Sequence, residues 1–229
     1  MIKLSIILTK YKKEQIRRNN CIGEGNFAKL YDYNGKVIKL FDDTLESEVA
    51  NNIKNLPKDK IDFFVFPEDL VKDIFRFLIG YTEEKINGYT LKELFDLLLN
   101  DQHLDISIND FMIAYEKLKP SIKEVSDRYY FMTDTHAKNI MYDGNLNFVD
   151  LDYYFQDKDA LKTTIYTENM NSVGLALVDS IRKLNEDFTF KLKKTIKLYD
   201  PDYFDKFIDN LDKKYGDIDT LIKYKNHKI

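Results

Sequence analysis

Residues 132–152, with the sequence MTDTHAKNIMYDGNLNFVDLD, are the stretch that best indicates a fold and a function for this chain. Asp134 and Asn139 are five residues apart, and Asp150 follows the apolar pair 148–149 just after an Asp-Gly-Asn turn. Carboxylate and amide oxygens are hard ligands that suit Mg²⁺, and a further carboxylate can accept a proton from a hydroxyl group. A site that positions a hydroxyl and holds Mg²⁺ on a triphosphate needs a set of this kind, although the set by itself could hold any metal.

The bulk composition predicts an ordered protein with a sizeable core. The chain has 229 residues, 44% hydrophobic and 32% charged, which is enough for one large domain or two small lobes. The net charge of −4 provides no global basic field, so we expect no nucleic-acid partner. Cys21 is the only cysteine, which excludes an internal disulfide and a cysteine-rich metal site.

Apolar runs in the sequence are short. The run at the N-terminus is too short for a signal peptide, and no run reaches the ~18 apolar residues of a transmembrane helix. We therefore expect a cytoplasmic protein without a membrane partner. The single cysteine fits the reducing conditions of that compartment.

The first part of the chain has the pattern of strands with one helix. Residues 20–42 are predicted to form three short strands, with Asn34-Gly35 as a two-residue hairpin turn. A helix is predicted over 44–56, where a proline stops it. Further β-rich runs occupy residues 63–66 and 75–81.

The chain turns helical after Gly88. Thr90 and Glu93 have the spacing of a capping box, and Pro120 is expected to kink or split the second helix. The expected helices span residues 90–99, 109–128, 168–184 and 186–225.

The order of these elements predicts an α+β fold. Strands and one main helix occupy residues 1–85, and mostly helices occupy residues 86–229. We therefore expect a small strand-rich lobe followed by a reduced, mostly helical lobe.

A pair of glycines lies between two predicted strands. Gly23 and Gly25 are separated by one residue, and Phe27 follows. A glycine hairpin can lie close over phosphates, where its N–H groups contact phosphate oxygens. The same pair is also common in ordinary turns, and it does not continue into a helix, which argues against a dinucleotide-binding loop.

Lys39 lies inside an apolar strand and needs either a partner or a route to water. A phosphate and a helix carboxylate would both pair with it. Glu48 is the better candidate for that carboxylate, because Val49 and Ile53 give an adjacent apolar face, and Glu46 is the competitor. A solvent-facing lysine and solvated helix charges are the alternatives.

His136 lies two residues after Asp134 and has three possible roles. It could orient the Asp134 carboxylate, meet the γ-phosphate, or only pack. The sequence leaves all three open.

Taken in order, these motifs resemble the catalytic core of the protein-kinase-like superfamily over residues 20–180. Residues 23–28 resemble its glycine-rich loop, with alanine where a third glycine is usual. Lys39 resembles its nucleotide-binding lysine and Glu48 the helix partner of that lysine. The resemblance implies a bilobal kinase-like fold in which the strand-rich lobe binds the nucleotide.

The resemblance also assigns the chemistry. Asp134 resembles the catalytic aspartate, with His136 beside it, and Asn139 and Asp150 resemble the two metal ligands. The implied cofactors are ATP and Mg²⁺. Residues 81–87 would be the hinge that meets adenine, and the residues implied there are Glu83 and Glu84.

The sequence departs from regulated protein kinases at several positions. Residues 132–133 replace the usual His-Arg pair, and no Ala-Pro-Glu follows Asp150. His136 stands where protein kinases carry lysine, and Asp152 replaces the glycine of Asp-Phe-Gly; both features are similar to aminoglycoside, choline and related small-molecule kinases. Asn169 stands where a buried aspartate is usual.

The leading hypothesis is an ATP-dependent kinase that transfers the γ-phosphoryl group of Mg·ATP to a hydroxyl of a small molecule or a protein. The alternative is a catalytically weak or inactive nucleotide-binding module of kinase-like fold. A third possibility is the transfer of AMP, with ATP bound in the reverse orientation. The sequence leaves the acceptor open.

Overall fold

The chain is a mixed α+β protein, which confirms the predicted class. The computed structural model describes residues 5–18, 21–25, 27–43, 45, 47–100, 104, 106, 108–182, 202, 205 and 206. The described residues divide into two compact units. The first is drawn from Met1–Lys60, Phe64–Ile86 and Asp150–Tyr154, and the second from Ile61–Phe63, Asn87–Val149 and Phe155–Ile229.

The first unit is built around a six-stranded sheet. Its elements in chain order are β1 (Ser5–Ile7), α1 (Lys10–Arg17), β2 (Cys21–Glu24), β3 (Ala28–Tyr33), β4 (Lys36–Phe41), α2 (Ser47–Asn55), β5 (Leu70–Lys72) and β6 (Leu78–Glu84). The strand order is β1-β5-β6-β4-β3-β2, with β1 and β5 parallel and the other neighbours antiparallel. Asn34 and Gly35 form the predicted hairpin turn, with φ angles of 53° and 80°.

Alternation along β4 divides its side chains between two apolar clusters. Ile38 and Leu40 pack in the cluster that includes α1, whereas Phe41 packs in the cluster that includes α2. Lys39 lies between Ile38 and Leu40, so its side chain emerges on the α2 face of the sheet. Its ammonium group lies 5.6 Å from the ring centroid of Phe41 and 5.6 Å from that of Tyr81.

In the part of the second unit that the structure describes up to residue 182, three helices combine with two small sheets. Its elements in chain order are β7 (Tyr89–Thr90), α3 (Leu91–Leu99), α4 (Ile108–Asp127), β8 (Tyr130–Phe131), β9 (Ile140–Tyr142), β10 (Leu146–Phe148), β11 (Phe155–Gln156) and α5 (Lys162–Arg182). The sheets have the strand orders β10-β9-β7 and β11-β8. The predicted capping box is confirmed: the Glu93 N–H donates to the Thr90 hydroxyl (3.2 Å) and the Thr90 N–H donates to the Glu93 carboxylate (2.8 Å).

One predicted strand run is wrong, and another begins later than predicted. Residues 63–66 form a turn-containing segment whose first residue has a φ of 68°. The strand expected from Phe75 begins only at Leu78, because the Asp73 carboxylate accepts hydrogen bonds from the N–H groups of Phe75 and Phe77, both at 2.9 Å. Those bonds hold the chain in a turn there.

The predicted helices that fall within the described residues are present. The predicted helix at 44–56 is present as α2. Pro120 does not split the second predicted helix, because α4 runs unbroken through it. The helix predicted to begin at residue 168 is present as α5, which begins earlier, at Lys162. The predicted helix 186–225 lies outside the described residues, apart from residues 202, 205 and 206. Among the described residues, no helix has both the length and the apolar composition that crossing a bilayer requires.

Candidate functional site

Lys39 of the first unit is held between two carboxylates. Its ammonium group contacts the carboxylate of Asp150 and lies 2.5 Å from Oδ2 of Asp152. Lys39 and Asp152 are only 7% and 3% exposed. Burial by itself lowers the pKa of Lys39, but the charges of Asp152 and Asp150 outweigh it and hold that pKa above its usual value. The lysine therefore stays cationic at neutral pH.

The side chains that surround Lys39 are more often acidic than basic. Glu83, on β6, is buried, and burial raises its pKa to about 8 against the opposing charge of Lys39. Burial likewise raises the pKa of Asp152. The Tyr81 hydroxyl lies close enough to the Asp152 carboxylate to oppose that rise. Among the described residues, Oε2 of Glu83 is buried without a hydrogen-bond partner. Buried polar atoms normally have one, so this atom has the capacity to meet a polar ligand or water.

The predicted partner of Lys39, Glu48, does not contact it. Among the described residues, the carboxylates that hold Lys39 are those of Asp150 and Asp152, and Glu48 is exposed on α2. Ala50 and Ile53, three residues apart, define the buried face of α2, and Glu48 falls outside that spacing. The competing residue Glu46 lies outside the described part of the chain.

Gly23 lies within β2, and only Gly25 lies in the turn that joins β2 to β3. The Gly25 N–H donates to the carbonyl of Ala28 (2.9 Å), and Phe27 is exposed. Gly23 faces Leu30, and in turn Leu30 pairs with Lys39 on β4. The turn is therefore connected through β3 to the strand that carries the lysine.

The predicted hinge begins inside a strand. Glu83 and Glu84 are the last residues of β6, where they pair with Val37 and Lys36 of β4. The Glu83 side chain is buried, whereas the Glu84 side chain is exposed and lies 3.8 Å from Lys60. The two glutamates therefore have opposite environments. Of the two, only Glu83 is buried close to Lys39, Asp150 and Asp152.

In the second unit, the residues that resemble a catalytic loop are in direct contact. The Asn139 amide donates to the carbonyl (3.0 Å) and to Oδ2 (3.2 Å) of Asp134. Nε2 of His136 lies 3.4 Å from Oδ1 of Asp134, and the Asn139 N–H donates to the His136 carbonyl (2.9 Å). Of the three roles left open for His136, orientation of the Asp134 carboxylate is the one that this geometry favours.

A buried asparagine anchors the chain that leads into this loop. Asn169 on α5 accepts a hydrogen bond from the N–H of Met132 (2.7 Å) and donates to the hydroxyl of Ser126 and the carbonyl of Tyr130, both at 2.9 Å. It is 1% exposed. Its three bonds fix the backbone two residues before Asp134.

Both principal aspartates have strained backbones. Asp134 and Asp150 have φ angles of 58° and 60°, in the left-handed region that costs a non-glycine residue roughly 1 kcal/mol. Such strain persists where surrounding contacts impose it and is frequent at functional sites. Here the N–H of Val149, the residue before Asp150, donates to the carbonyl of Asn139 (3.0 Å).

A cavity of about 380 Å³ opens beside Asp134 in the second unit. Its polar lining includes Asp134, His136 and Glu168, and its apolar lining includes Met132 and Leu175. The volume lies within the range of small-molecule pockets.

No family model matches this chain, and no curated protein matches it either.

The structure brings together some of the predicted site residues and adds two that were missed. Lys39 meets Asp150, and Asp134 meets His136 and Asn139. Sequence reasoning did not place Asp152 in the site, although its spacing of two from Asp150 suits side chains on one side of an extended segment. It also missed Glu168, whose spacing from Ser172 and Leu175 on α5 is that of one helix face.

Proposed function

We propose that this protein is an ATP-dependent phosphotransferase of kinase-like fold that transfers the γ-phosphoryl group of Mg·ATP to a hydroxyl. The observation that carries the proposal is the contact between Lys39 and Asp150. These residues are 111 positions apart, and the sequence motifs assign one to phosphate and the other to metal. A lysine that stays cationic next to a metal-ligating carboxylate suits a triphosphate.

The donor set fits Mg²⁺ on a nucleotide. Mg²⁺ is usually held by one or two carboxylates together with phosphate oxygens and waters. Asp150 would supply a carboxylate and Asn139 an amide oxygen, while Lys39 would bind a phosphate. Among the described residues, no three His, Cys, Asp or Glu side chains form a metal-holding group, and this mode of binding does not need one. When bound, Mg²⁺ neutralises charge that develops on the phosphates.

Asp134 would orient the acceptor hydroxyl and accept its proton. Its carboxylate is held by the Asn139 amide and has His136 beside it, so its direction is set before the acceptor binds. Preorganisation of this kind supplies most of the catalysis in phosphoryl transfer, where little covalent chemistry falls to the protein.

The size of the cavity beside Asp134 favours a small acceptor. At about 380 Å³ it accommodates a small molecule, and its lining includes the carboxylate that would accept the proton. The missing Ala-Pro-Glu sequence is in line with a reduced platform for a peptide acceptor.

The test is nucleotide turnover by the full chain with Mg·ATP. The wild type should release or transfer the γ-phosphoryl group, and Asp134→Asn should lose this activity at unchanged stability, because the base is gone. Asp62→Asn, at an exposed position, is the matched control and should retain activity. The mass added to an acceptor distinguishes phosphoryl from adenylyl transfer. Equal activity in Asp134→Asn and the wild type would remove Asp134 from the mechanism.

The same Lys39–Asp150 contact also favours a second candidate, a nucleotide-binding module without turnover. A metal ligand already paired with lysine is less available to Mg²⁺. Binding of Mg·ATP without release or transfer of phosphate would identify this second function.

A further inference from the structure

Asp152 has a buried contact with Lys39 for which the kinase resemblance has no counterpart. Its Oδ2 lies 2.5 Å from the Lys39 ammonium, and the side chains of Asp152 and Lys39 are 4% and 8% exposed. The Asp150 side chain, by contrast, is 39% exposed. One carboxylate is thus enclosed with the lysine, and the other is accessible.

The segment that carries Asp152 is firmly packed in the first unit. Leu151 and Tyr154 are 1% and 2% exposed, and the Tyr154 N–H donates to the Leu151 carbonyl (3.1 Å). The ring of Tyr154 meets that of Phe64 edge-on at 6.4 Å. Asp152 is therefore fixed toward β4, whereas Glu48 is exposed on α2.

The two contacts of Lys39 cannot serve the same purpose once a metal binds. If Asp150 ligates Mg²⁺, its carboxylate is no longer available to neutralise the lysine. A buried lysine without a counter-charge is strongly unfavourable. If Asp150 were its partner, Lys39 would therefore compete with Mg²⁺ for the Asp150 carboxylate. A second, enclosed carboxylate removes that conflict.

We propose that Asp152 is the positioning residue that holds Lys39 in place when Asp150 ligates Mg²⁺. The resemblance gives this role to Glu48. This inference rests on the proposed nucleotide function. The carboxylate that holds Lys39 would then come from the Asp150–Tyr154 segment of the first unit and not from α2.

The pairing itself is tested without nucleotide, by a double-mutant cycle on unfolding in denaturant. The variants are Lys39→Met, Asp152→Asn and the two combined, and the matched control cycle uses Glu48→Gln in place of Asp152→Asn. We expect the unfolding equilibrium constants of the Lys39–Asp152 cycle to deviate from additivity by about tenfold or more, and those of the control cycle to be additive. An additive Lys39–Asp152 cycle, or a coupled Lys39–Glu48 cycle, would overturn the proposal.

Folding provides a second readout if Asp152→Asn alone does not fold. The combined variant carries neither the lysine nor the Asp152 charge, so it should recover the folded state that Asp152→Asn loses. Loss of folding in the combined variant, with Lys39→Met folded, would count against the pairing.

The positioning role is tested by the Mg²⁺ dependence of nucleotide binding, measured with a fluorescent ATP analogue. In Asp152→Asn, Lys39 should remain on Asp150, so the Mg²⁺ concentration for half-maximal binding should rise about tenfold. Asp152→Glu should restore part of the loss, and Glu48→Gln should match the wild type. An unchanged Mg²⁺ requirement in Asp152→Asn would overturn the proposal. A wild type that binds no Mg·ATP would refute the proposed function, and the cycle alone would then decide whether Asp152 holds Lys39.

Discussion

Asp150 has a left-handed backbone and contacts Lys39 directly. Its side chain is more exposed than those of Lys39 and Asp152. A carboxylate that is fixed in direction yet accessible is suited to a metal bound together with a nucleotide. Asp152, enclosed two residues later, is suited to the lysine instead. The difference in exposure between these two acids is what separates their proposed roles.

Replacing Asp150 with alanine should abolish turnover. The carboxylate proposed to ligate Mg²⁺ is lost, and metal stabilisation worth several kcal/mol corresponds to a rate loss on the order of 10³-fold. Steady-state assays with saturating Mg·ATP would measure it, with Asp62→Asn as the control. Turnover near the wild-type rate in Asp150→Ala would show that Asp150 is not a metal ligand in the reaction.

Glu83 should make the protein less stable as the pH rises. Its folded-state pKa is raised from 4.5 to about 8, chiefly by burial, with Asp150, Asp152 and Glu68 adding to the rise against Lys39. The folded state therefore binds more protons than the unfolded state between these values, so stability falls as the pH increases through that window.

Glu83→Gln should remove this pH dependence, because glutamine mimics the neutral acid. Relative to the wild type, the variant should gain on the order of 4 kcal/mol between about pH 4.5 and 8, and little below that window. Urea unfolding across the pH range measures the difference. Glu84→Gln, at the adjacent exposed position, is the control and should follow the wild type.

At the scale of elements, the approach of β6 to β4 sets the position of Lys39. Gly80 pairs with Leu40, and a Cβ atom at Gly80 would lie 2.1 Å from the Lys39 carbonyl oxygen. No side chain fits there without moving one of the two strands. Asn169 has a comparable role in the second unit, where α5 fixes the chain before Asp134 through three hydrogen bonds.

Gly80→Ala should destabilise the protein by about 3 kcal/mol, the upper part of the usual cost of overpacking, because the clash is with backbone rather than with a flexible side chain. Denaturant unfolding would measure the loss, and nucleotide binding should weaken with it as β4 shifts. Gly25→Ala is the control for stability, since its Cβ would meet its nearest neighbour at an ordinary 3.6 Å. Equal stability of the two variants would contradict this account of the sheet.

At the scale of the whole molecule, Mg·ATP should stabilise the folded chain. A ligand that binds only the folded state at about 100 times its Kd adds roughly 2.7 kcal/mol. Thermal unfolding should therefore shift upward with Mg·ATP, and less with ATP alone. Lys39→Met should reduce the shift, because the phosphate partner is gone. The absence of any shift in the wild type would refute nucleotide binding.

Taken over the whole chain, the structure shows which elements could be predicted from sequence patterns. The hairpin at Asn34-Gly35 and the capping box at Thr90 were predictable because both depend on residues within a few positions of each other. The strand expected from Phe75 begins only at Leu78, because hydrogen bonds to the Asp73 side chain override the apolar pattern before it. Turns and caps that depend on neighbouring residues were predicted correctly. The start of the strand was predicted wrongly because side-chain hydrogen bonds compete there with strand formation.

Local patterns in the sequence were enough to predict the α+β class and most of the elements, and they indicated the side chains that are proposed to bind phosphate and metal. The tertiary structure alone decided that Lys39 lies between Asp150 and Asp152 rather than beside Glu48, and that Glu83 is buried while Glu84 is not. The physical reason is that the partner of a buried charge depends on which distant segments pack around it. No local periodicity records a contact across 111 residues.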